Sequence, residues 1–317
     1  MNRKFLRLVP GVVLVILLSV HAEAARLLIP VGRIVGLELQ NNTVTVVAFE
    51  DGSPAEAAGV QEGDRLLMID RHSIKNARDV RSALDQSNGT VQLTLQRGDA
   101  LATVEVSPAI TAQGPKLGIY LRQGITGIGT VTYYDPETGT FGALGHGVNQ
   151  PGGDLLQLTR GTAYPAAITH VRKGAPGDPG QLMGSLTDHK PIGTIRRNTA
   201  QGVFGTANAS FSGESLPIGQ PVLGKATILS TIAGEEPREY AVEILKVYGA
   251  QRQNGRNMLL RVTDPTLLET TGGIVQGMSG SPIIQNGKLI GAVTHVLVND
   301  PTTGYGIFIE NMLDAAS

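Results

Sequence analysis

The stretch GGIVQGMSGSPII, residues 272–284, sets two serines among glycines and ends in Pro282 and an apolar pair. A serine hydroxyl becomes a nucleophile only when a base removes its proton and backbone amides accept the developing charge. Glycines on both sides of Ser279 permit a sharp turn in which the N–H groups of Gly277 and Ser279 converge. Ser281 is less well placed, because a proline restricts the residue before it to extended backbone. The alternative is an ordinary tight turn between two strands.

The composition of the whole chain favours β structure. The 317 residues include 41 glycines, only 4% aromatic residues and no tryptophan, which is typical of many short strands joined by tight turns. This length allows two domains. A formal charge of -1 gives no reason to expect nucleic acid or an acidic membrane as a partner. Cysteine is absent, which excludes disulfides, thiolate zinc sites and a cysteine nucleophile.

The first 25 residues have the pattern of a secretory signal peptide. Three positive charges in MNRKFLR precede an apolar run of 13 residues, and an A-x-A cleavage pattern follows at Ala22 and Ala24. The alternative is an uncleaved membrane anchor, but the run is shorter than the roughly 20 residues that a spanning helix needs. We therefore expect export across the cytoplasmic membrane, with cleavage near Ala24 or Ala25.

The next part of the chain predicts a small α+β unit. Two strands around Asn41 and Asn42 precede the segment DGSPAEAAGVQEGD, in which Pro54 at the start and Gly59 at the end bracket one short helix. A GD turn leads into an apolar strand, and a second helix is expected over 77–85, before a final strand. This order of elements resembles a PDZ domain of the bacterial type over residues 28–107.

The PDZ resemblance implies a peptide-binding groove. In that family a peptide adds as an extra strand beside a glycine-containing loop, and the second helix forms the other wall. The loop here is RIVGL, whose backbone N–H groups are expected to receive a C-terminal carboxylate. The residues implied are Val35, Gly36, Leu37, Val80 and Leu84. The alternative is that these apolar side chains are simply core.

The remainder of the chain predicts a second, all-β domain. Residues 108–115, PAITAQGP, have the composition of a linker. Residues 116–317 carry many strand patterns and no long run with helical periodicity. A domain of this length suits a closed or paired β-barrel, which also removes exposed strand edges.

The serine motif and four longer segments carry a second resemblance. GMSGSP resembles the GDSGGP signature around the nucleophile of chymotrypsin-like serine peptidases, with Ser279 in the nucleophile position. LIPVGRIVGLEL, GALGHGV, VTDPTLLETTGGIVQGMSGSPII and GKLIGAVTHVLVNDPTTGYGIFIE are together similar to the stage IV sporulation protein B peptidases. Those proteins join an N-terminal PDZ domain to a trypsin-like peptidase domain. The implied fold is mainly β, with a PDZ-like domain followed by a chymotrypsin-like double β-barrel.

A serine peptidase needs a histidine as its general base. GALGHGV places His146 between glycines at the end of a short apolar strand, where an imidazole can project into a cleft. In the sporulation family the histidine of this motif is the base, so the resemblance implies His146. His295 in GAVTHV is the main competitor and is interpreted as a structural histidine; His170 and His189 are the other histidines of this domain.

The third member of a triad orients the imidazole and stabilises its charged form. In the sporulation family the aspartate lies in a TDP motif shortly before the serine, so the resemblance implies Asp264. The alternative is that Asp264, before Pro265, only starts a turn. The aspartates that stay open as substitutes are Asp135, Asp154, Asp178 and Asp188. We expect no metal or cofactor, because the histidines are scattered and neither an HExxH helix nor a phosphate-binding loop is present.

The family resemblance also implies a biological role. The expected protein is an exported serine endopeptidase of endospore formation, acting between forespore and mother cell on a protein or peptide substrate. In that family the enzyme cleaves itself near its N-terminus and cuts a membrane-bound regulator, so that an intramembrane metalloprotease activates a sigma factor. The PDZ-like unit would bind the target or a second copy of the enzyme. The alternatives are an exported adaptor with an inactive barrel and an esterase that uses the same serine.

Overall fold

The computed structural model describes residues 26–150, 153–250 and 255–317. The signal peptide or anchor predicted over residues 1–25 lies outside them. Within the described ranges, no helix is long and apolar enough to cross a membrane. Strands dominate both parts of the chain, so the predicted mainly β class is confirmed.

The amino-terminal part combines strands with two short helices. Ser53 caps the first helix and Pro54 opens it, while Asn76 accepts N–H bonds from Arg78 and Asp79 at the start of the second, as predicted. The elements are β1 (Leu27–Pro30), β2 (Ile34–Phe49), α1 (Pro54–Ala57), β3 (Arg65–Ile69), β4 (His72–Ser73), α2 (Ala77–Asp85), β5 (Val91–Arg97), β6 (Ala100–Val106), β7 (Ala109–Thr111) and β8 (Gly114–Lys116).

The carboxy-terminal part continues with strands almost to its end. Its elements are β9 (Ile119–Asp135), β10 (Thr140–Ala143), β11 (Arg160–Arg172), β12 (Gln181–Leu186), β13 (Gly193–Thr199), β14 (Gly202–Ala207), β15 (Leu216–Pro217), β16 (Gly224–Ser230), β17 (Arg238–Val247), β18 (Met258–Val262), α3 (Pro265–Thr271), β19 (Pro282–Gln285), β20 (Lys288–Leu297), β21 (Asp300–Phe308) and α4 (Ile309–Ala316). Strands β16 to β21 close into a six-stranded barrel in the order β16-β17-β18-β21-β20-β19.

One large sheet contains most of the other strands, in the order β15-β1-β9-β10-β14-β13-β11-β2-β3-β5-β6. Two long strands connect its halves, because β2 and β9 also pair with each other from Ile34↔Thr130 to Phe49↔Ile119. The pairing register shifts between Leu39 and Val44. The first part of β2 therefore lies among the strands of the second domain, and its end lies in the PDZ-like unit.

The PDZ-like unit has its own core. The end of β2 pairs with β3, which pairs with β5, and β5 pairs with β6. Helix α2 buries Val80, Ala83 and Leu84 against this sheet, in one cluster with Leu93 and Leu95. The apolar face predicted for α2 is thus a packing face, which anchors the helix beside the sheet.

Strands from both sides of the predicted domain boundaries pair with each other, and the boundaries themselves stay a prediction. Strand β1 pairs with β9 and β15, and Leu28 is fully buried in a cluster with Tyr133 and Phe204. Residues 28–40 thus pack with the second domain, although the prediction placed them in the PDZ-like unit. The segment 108–115, predicted as a linker, contains most of the β7–β8 hairpin.

A cleft forms where the barrel meets the large sheet. The turn that carries Ser279 lies against β9 and against the end of β10. A Cβ added at Gly280 would lie 2.2 Å from the carbonyl oxygen of Thr130 and 2.6 Å from the amide nitrogen of Leu144. Gly280 also has a φ of +97°, which favours glycine. Only a residue without a side chain permits this close approach, and the approach brings the serine turn next to the loop that carries His146.

Candidate active site

The turn that carries Ser279 is held rigidly by its own backbone. The amide of Met278 donates to the carbonyl of Val275 at 3.1 Å, and the amide of Ser281 donates to the carbonyl of Met278 at 3.0 Å. The amide of Gly280 donates across to Val293 in β20 at 2.7 Å. The sharp turn inferred from the glycines is therefore present, and the barrel fixes its position.

The two serines of the motif have different environments. Ser281 is fully buried, and its Oγ donates to the Oγ of Ser230 at 2.9 Å. Ser279 is half-buried and lines a cleft of about 340 Å³ together with His146. Of the two, Ser279 is the one that a substrate in this cleft can reach.

Some of the backbone amides around Ser279 donate hydrogen bonds within the protein, and others do not. Those of Met278, Gly280 and Ser281 are bonded, whereas those of Gly277 and Ser279 have no hydrogen-bond partner in the described part of the chain. The predicted oxyanion hole remains a prediction. The arrangement supplies what it requires, two free donors on one tight turn.

Thr130 in β9 holds this turn from behind and carried no signal in the sequence. Its Oγ1 donates to the carbonyl of Gly277 at 2.9 Å, and its amide donates to the carbonyl of Ser279 at 3.3 Å. Thr130 is fully buried and lies 147 residues from Gly277 in the chain. Because both carbonyls are held against β9, their peptide units cannot rotate freely.

Thr130→Val is expected to lower kcat about 5- to 150-fold with little change in KM. Valine keeps the shape but leaves the carbonyl of Gly277 without its partner, and a lost partner in a buried site costs about 1–3 kcal/mol. Steady-state cleavage of a fluorogenic peptide measures both constants. Thr132→Val is the matched control, since Thr132 is equally buried in β9 but its Oγ1 has no hydrogen-bond partner among the described residues. Equal kcat values for the two variants would contradict this role of Thr130.

His146 follows β10 on a turn with unusual backbone. Leu144 and Gly145 have φ values of +70° and +68°. A residue with a branched side chain, such as Leu144, rarely adopts a positive φ. A Cβ added at Gly145 would lie 2.9 Å from Cγ2 of Thr294 and 3.0 Å from Cγ2 of Ile307. Gly145 therefore lets the turn lie directly on the barrel and places His146 beside the serine turn.

The hydrogen bond of His146 fixes which ring nitrogen can act as a base. Its Nδ1 lies 2.9 Å from the carbonyl oxygen of Gly147, which can only accept, so Nδ1 carries the proton. The other nitrogen, Nε2, is then unprotonated in the neutral ring. Burial lowers the pKa of His146, and the bond to Gly147 opposes that shift. This tautomer and this pKa direction suit a general base at neutral pH.

Ser279 and His146 are not hydrogen-bonded to each other. Ser279 Oγ donates instead to the carbonyl oxygen of Thr294 at 2.7 Å. The structure thus brings the predicted nucleophile and base into one cleft, and the hydroxyl must turn away from Thr294 to reach the imidazole.

Asp264 caps a helix at a distance from this cleft. Its Oδ1 accepts from the amide of Leu267 at 3.0 Å, and its Oδ2 accepts from the amide of Ala241 at 3.3 Å. Gly255, which precedes β18, lies against Gly145, whereas Asp264 follows the far end of that strand. At the rise of an extended strand, Gly255 and Asp264 are on the order of 20 Å apart. The structure does not bring Asp264 to His146, so its role as triad acid stays an inference from resemblance.

The other aspartates do not take its place. Asp135 pairs with Arg26 at 2.7 Å, and Asp178 pairs with Arg172. Among the described residues that line the cleft there is no aspartate or glutamate. The described residues also contain no cluster of histidine and carboxylate side chains that could hold a metal ion.

His295 on β20 is a titratable neighbour of His146. The two ring centroids are 5.4 Å apart, with an angle of 41° between the planes. Nδ1 of His295 is buried and has no hydrogen-bond partner among the described residues. Burial lowers the pKa of His295 to about 4, and the charges of His146 and Arg256 act in the same direction. His295 is therefore neutral at physiological pH.

The lowered pKa of His295 predicts a loss of stability in mild acid. An unfolded histidine titrates near 6.5, so between about pH 6.5 and pH 4 the unfolded chain binds more protons than the native one, and stability falls as pH falls. We expect the Tm from differential scanning calorimetry to drop through this window, and to drop less in His295→Phe. An identical pH dependence in the two proteins would contradict this prediction.

Two family models match the chain. A family model described as SpoIVB peptidase S55 matches residues 113–313, and a PDZ domain model matches residues 34–107. The chain belongs to the SpoIVB peptidase S55 family. This S55 peptidase is accordingly a serine endopeptidase of sporulation that carries a PDZ domain, and a protein is its substrate.

The S55 peptidase is similar to a crystal structure of the PDZ domain of the SdrC-like protein from Listeria monocytogenes, at 26% sequence identity. The match covers 25% of this chain and 87% of that one, with a TM-score of 0.23. No curated protein matches the sequence.

The residues predicted to form a peptide-binding loop, Val35, Gly36 and Leu37, lie in a covered part of the large sheet. These residues lie inside β2, with β9 on one edge and β11 on the other; Gly36, for example, is opposite both Ile128 and Tyr164. Their backbone groups belong to two ladders and cannot receive a peptide. The prediction placed Asn41 and Asn42 between two separate strands, but β2 continues through both residues. Val80 and Leu84 are only 7% and 4% exposed, in agreement with the core alternative.

In the S55 peptidase, the start of β9 lies beside α2, where the prediction had placed the start of β2. The first residues of β9, 119–123, pair with β2 on one edge, and no described strand pairs with the other. The Gln123 side chain donates to the carbonyl of Lys75 next to the start of α2, at 3.1 Å, and Gly114 lies against Asp85 at its end. The sequence signal was available, because LGI at 117–119 repeats the pattern of a glycine between apolar residues.

Proposed function

We propose that the peptidase cleaves a peptide bond with Ser279 as nucleophile and His146 as general base. The observation that carries this proposal is their shared cleft, in which Nε2 of His146 is the unprotonated nitrogen. The amides of Gly277 and Ser279 are the proposed oxyanion hole. An adaptor with an inactive barrel would have no need for free amides beside an accessible serine.

The proposed reaction is acyl transfer in two steps. Ser279 Oγ leaves the carbonyl of Thr294, gives its proton to Nε2 of His146 and attacks the scissile carbonyl carbon. The oxyanion of the tetrahedral intermediate accepts hydrogen bonds from the two amides. His146 then protonates the leaving amine. A water molecule, deprotonated by His146, hydrolyses the acyl-enzyme and restores the serine.

The proposed biological role is that of an exported signalling peptidase. It rests on the family and on the charge pattern of residues 1–25, and it places the enzyme between forespore and mother cell. There the enzyme cleaves itself near its N-terminus and then a membrane-bound regulator of an intramembrane metalloprotease, which triggers activation of a sigma factor.

Complementation tests this role. A spore-forming host that lacks its own S55 peptidase receives either this chain or its Ser279→Ala variant, and cleavage of the regulator and sigma-factor activity are followed. Regulator cleavage with the wild-type chain alone supports the proposal. A chain that cleaves peptides in vitro but leaves the regulator intact would overturn the role without overturning the chemistry.

The PDZ domain is proposed to bind an extended peptide along residues 119–123 of β9. Supporting this, the carbonyls of Leu117 and Gly118 bond to the amides of Ala55 and Glu50, at 3.1 and 2.9 Å. The open edge of a strand offers the backbone groups that an added peptide strand needs. The occupant is the free C-terminus of the substrate or of a second copy of the enzyme.

Hydrogen exchange tests the position of this groove. Adding a peptide with an apolar residue and a free carboxylate at its C-terminus is expected to slow amide exchange in residues 117–123 several-fold and to leave residues 33–37 unchanged. The same peptide with an amidated C-terminus is the matched control, which should protect less. Protection of 33–37 instead would contradict the groove proposed for β9.

A further inference from the structure

The cleft that holds Ser279 and His146 is walled mainly by apolar side chains. These come from β2, from β9 and from the segment around His146: Leu37, Leu39, Ile125, Ile128, Leu144 and Val148. Ile125, Ile128 and Val148 are only half-buried, so they present apolar surface to the cleft. No lysine, arginine, aspartate or glutamate is among the described residues that line it. An apolar group that covers this surface is stabilised, whereas a charged group buried here would lack a partner.

Gly127 lies on the cleft side of β9 and leaves open space there. It is directly opposite Leu37 in the ladder with β2, and residues opposite each other in an antiparallel pair share one face of the sheet. Leu37 is buried in one cluster with Leu144, which precedes His146. A Cβ added at Gly127 would meet no atom within 4 Å. The space above Gly127 is therefore part of the cleft.

The chain fills the matching space at the next glycine on this face. A Cβ added at Gly129 would lie 2.3 Å from Cδ2 of Leu144, so a side chain of the protein covers that position. A glycine inside a strand usually marks a bulge or the close approach of another group. The pairing of β9 with β2 is regular from Ile125 to Thr130, and the φ of Gly127 is not left-handed. An approaching group that the described chain does not supply is the remaining explanation for Gly127.

The space above Gly127 lies at a suitable distance from the nucleophile. Thr130 holds the serine turn, and Gly127 precedes it by three residues, about 10 Å at the rise of a strand. The substrate residue whose carbonyl is attacked stays bonded to Ser279 in the acyl-enzyme, so its side chain must lie in the space next to Ser279. The cleft volume of about 340 Å³ is at the lower end of the range for ligand pockets, about 300–1,000 Å³. It suits one large side chain together with its backbone.

We propose that this cleft is the specificity pocket for a large apolar side chain, that of the residue whose carbonyl Ser279 attacks, and that Gly127 forms its floor. The inference rests on the proposed function and names the substrate class. The preferred peptides carry leucine, methionine or phenylalanine at that position. Peptides with a lysine, arginine, aspartate or glutamate there are poor substrates, because the lining offers no partner for the charge.

Cleavage of a peptide library that varies the residue on each side of the scissile bond tests the pocket. In the wild type, kcat/KM for leucine on the acyl side is expected to exceed that for alanine about 10- to 100-fold, with lysine and aspartate cleaved more slowly than leucine. Gly127→Leu fills the pocket from its floor. It should lower kcat/KM for leucine and phenylalanine by about 10-fold or more and change that for alanine less than about threefold.

Gly249→Leu is the matched control. Gly249 is exposed, its φ is not left-handed, and a Cβ added there also meets no atom within 4 Å, but it lies outside the cleft. Its substrate preference should equal that of the wild type. Because both glycines have room for a side chain, both variants should fold, which thermal unfolding checks. An unchanged preference in folded Gly127→Leu, a preference for charged residues in the wild type, or a change confined to the leaving-group side would overturn the inference and leave the proposed chemistry in place.

A binding measurement separates the pocket from the chemistry. Acetylated tripeptides that end in leucine amide or alanine amide are titrated into Ser279→Ala in a calorimeter, and the amidated end avoids the groove proposed for a free C-terminus. Tighter binding of the leucine peptide, lost when Gly127→Leu is added, supports the pocket even if the wild type cleaves no peptide, in which case only the proposed function fails. If there is no cleavage and the two peptides bind equally, the pocket is overturned as well.

Discussion

Ser279→Ala is expected to abolish peptide cleavage, with a fall in kcat of about 10⁶-fold, the size seen when a serine nucleophile is removed. The variant should fold normally, because Ser279 Oγ is half-buried and makes one hydrogen bond, to the carbonyl of Thr294. Cleavage of a fluorogenic peptide measures the loss, and self-processing followed by gel electrophoresis provides an independent reading.

Ser281→Ala is the matched control for Ser279→Ala, since the two serines lie two residues apart in the same turn. It removes the partner of the buried Ser230 hydroxyl, so we expect a cost of about 1–3 kcal/mol in the free energy of unfolding and kcat within a few-fold of wild type. Loss of activity in Ser281→Ala with full activity in Ser279→Ala would mean that the nucleophile is assigned to the wrong serine.

Gly280→Ala is expected to have the second largest effect, on stability and activity together. A methyl group at this position would lie 2.2 Å from the carbonyl oxygen of Thr130, and the φ of +97° disfavours any side chain. Overpacking costs about 1–3 kcal/mol, and an unfavourable backbone conformation adds about 1–3 kcal/mol. The serine turn must then move away from β9 and from the turn that carries His146, so cleavage should fall at least 10²-fold.

Gly287→Ala separates the two causes. Gly287 lies between β19 and β20 with a φ of +69°, but a Cβ added there meets no atom within 4 Å. It should lose only the backbone contribution and keep its activity. Chemical denaturation and peptide cleavage are measured on both variants. Equal losses of stability would show that the close contact of Gly280 with Thr130 contributes nothing.

The sequence predicts the elements that depend on local signals. Pro54, Asn76 and the glycines around Ser279 act on their own neighbours, and the structure has both helices and the sharp turn where they indicate them. The mainly β class follows from composition, and the family resemblance, now confirmed by the family model, carries the two-domain order.

The parts that the sequence does not predict depend on contacts between distant residues. β2 is flanked by β9 and β11 along its first half, and nothing local at Val35 to Leu37 indicates that both edges are covered. Thr130 supports the serine turn from 147 residues away. The Asp-Pro pair at Asp264 has the local signal of a helix start, and the structure uses it as one. His295 gains its significance only through its distance to His146.

The rival functions lose support for separate reasons. An inactive adaptor would tolerate a blocked serine turn, whereas here Ser279 is accessible and the amides of Gly277 and Ser279 are free within the described residues. An esterase has no evident use for a PDZ domain that shares β9 with the catalytic cleft. That shared strand holds the serine turn through the hydrogen bond from Thr130 to the carbonyl of Gly277.

The most direct test is covalent labelling of the protein without residues 1–25 by a fluorophosphonate probe, with the modified peptide mapped by mass spectrometry. We predict label on Ser279 in the wild type and at least 10²-fold slower labelling in folded His146→Ala. Label on Ser281, label on Ser279 at an unchanged rate in His146→Ala, or a folded wild-type protein that does not react with the probe would contradict the assignment of Ser279 and His146 as nucleophile and base.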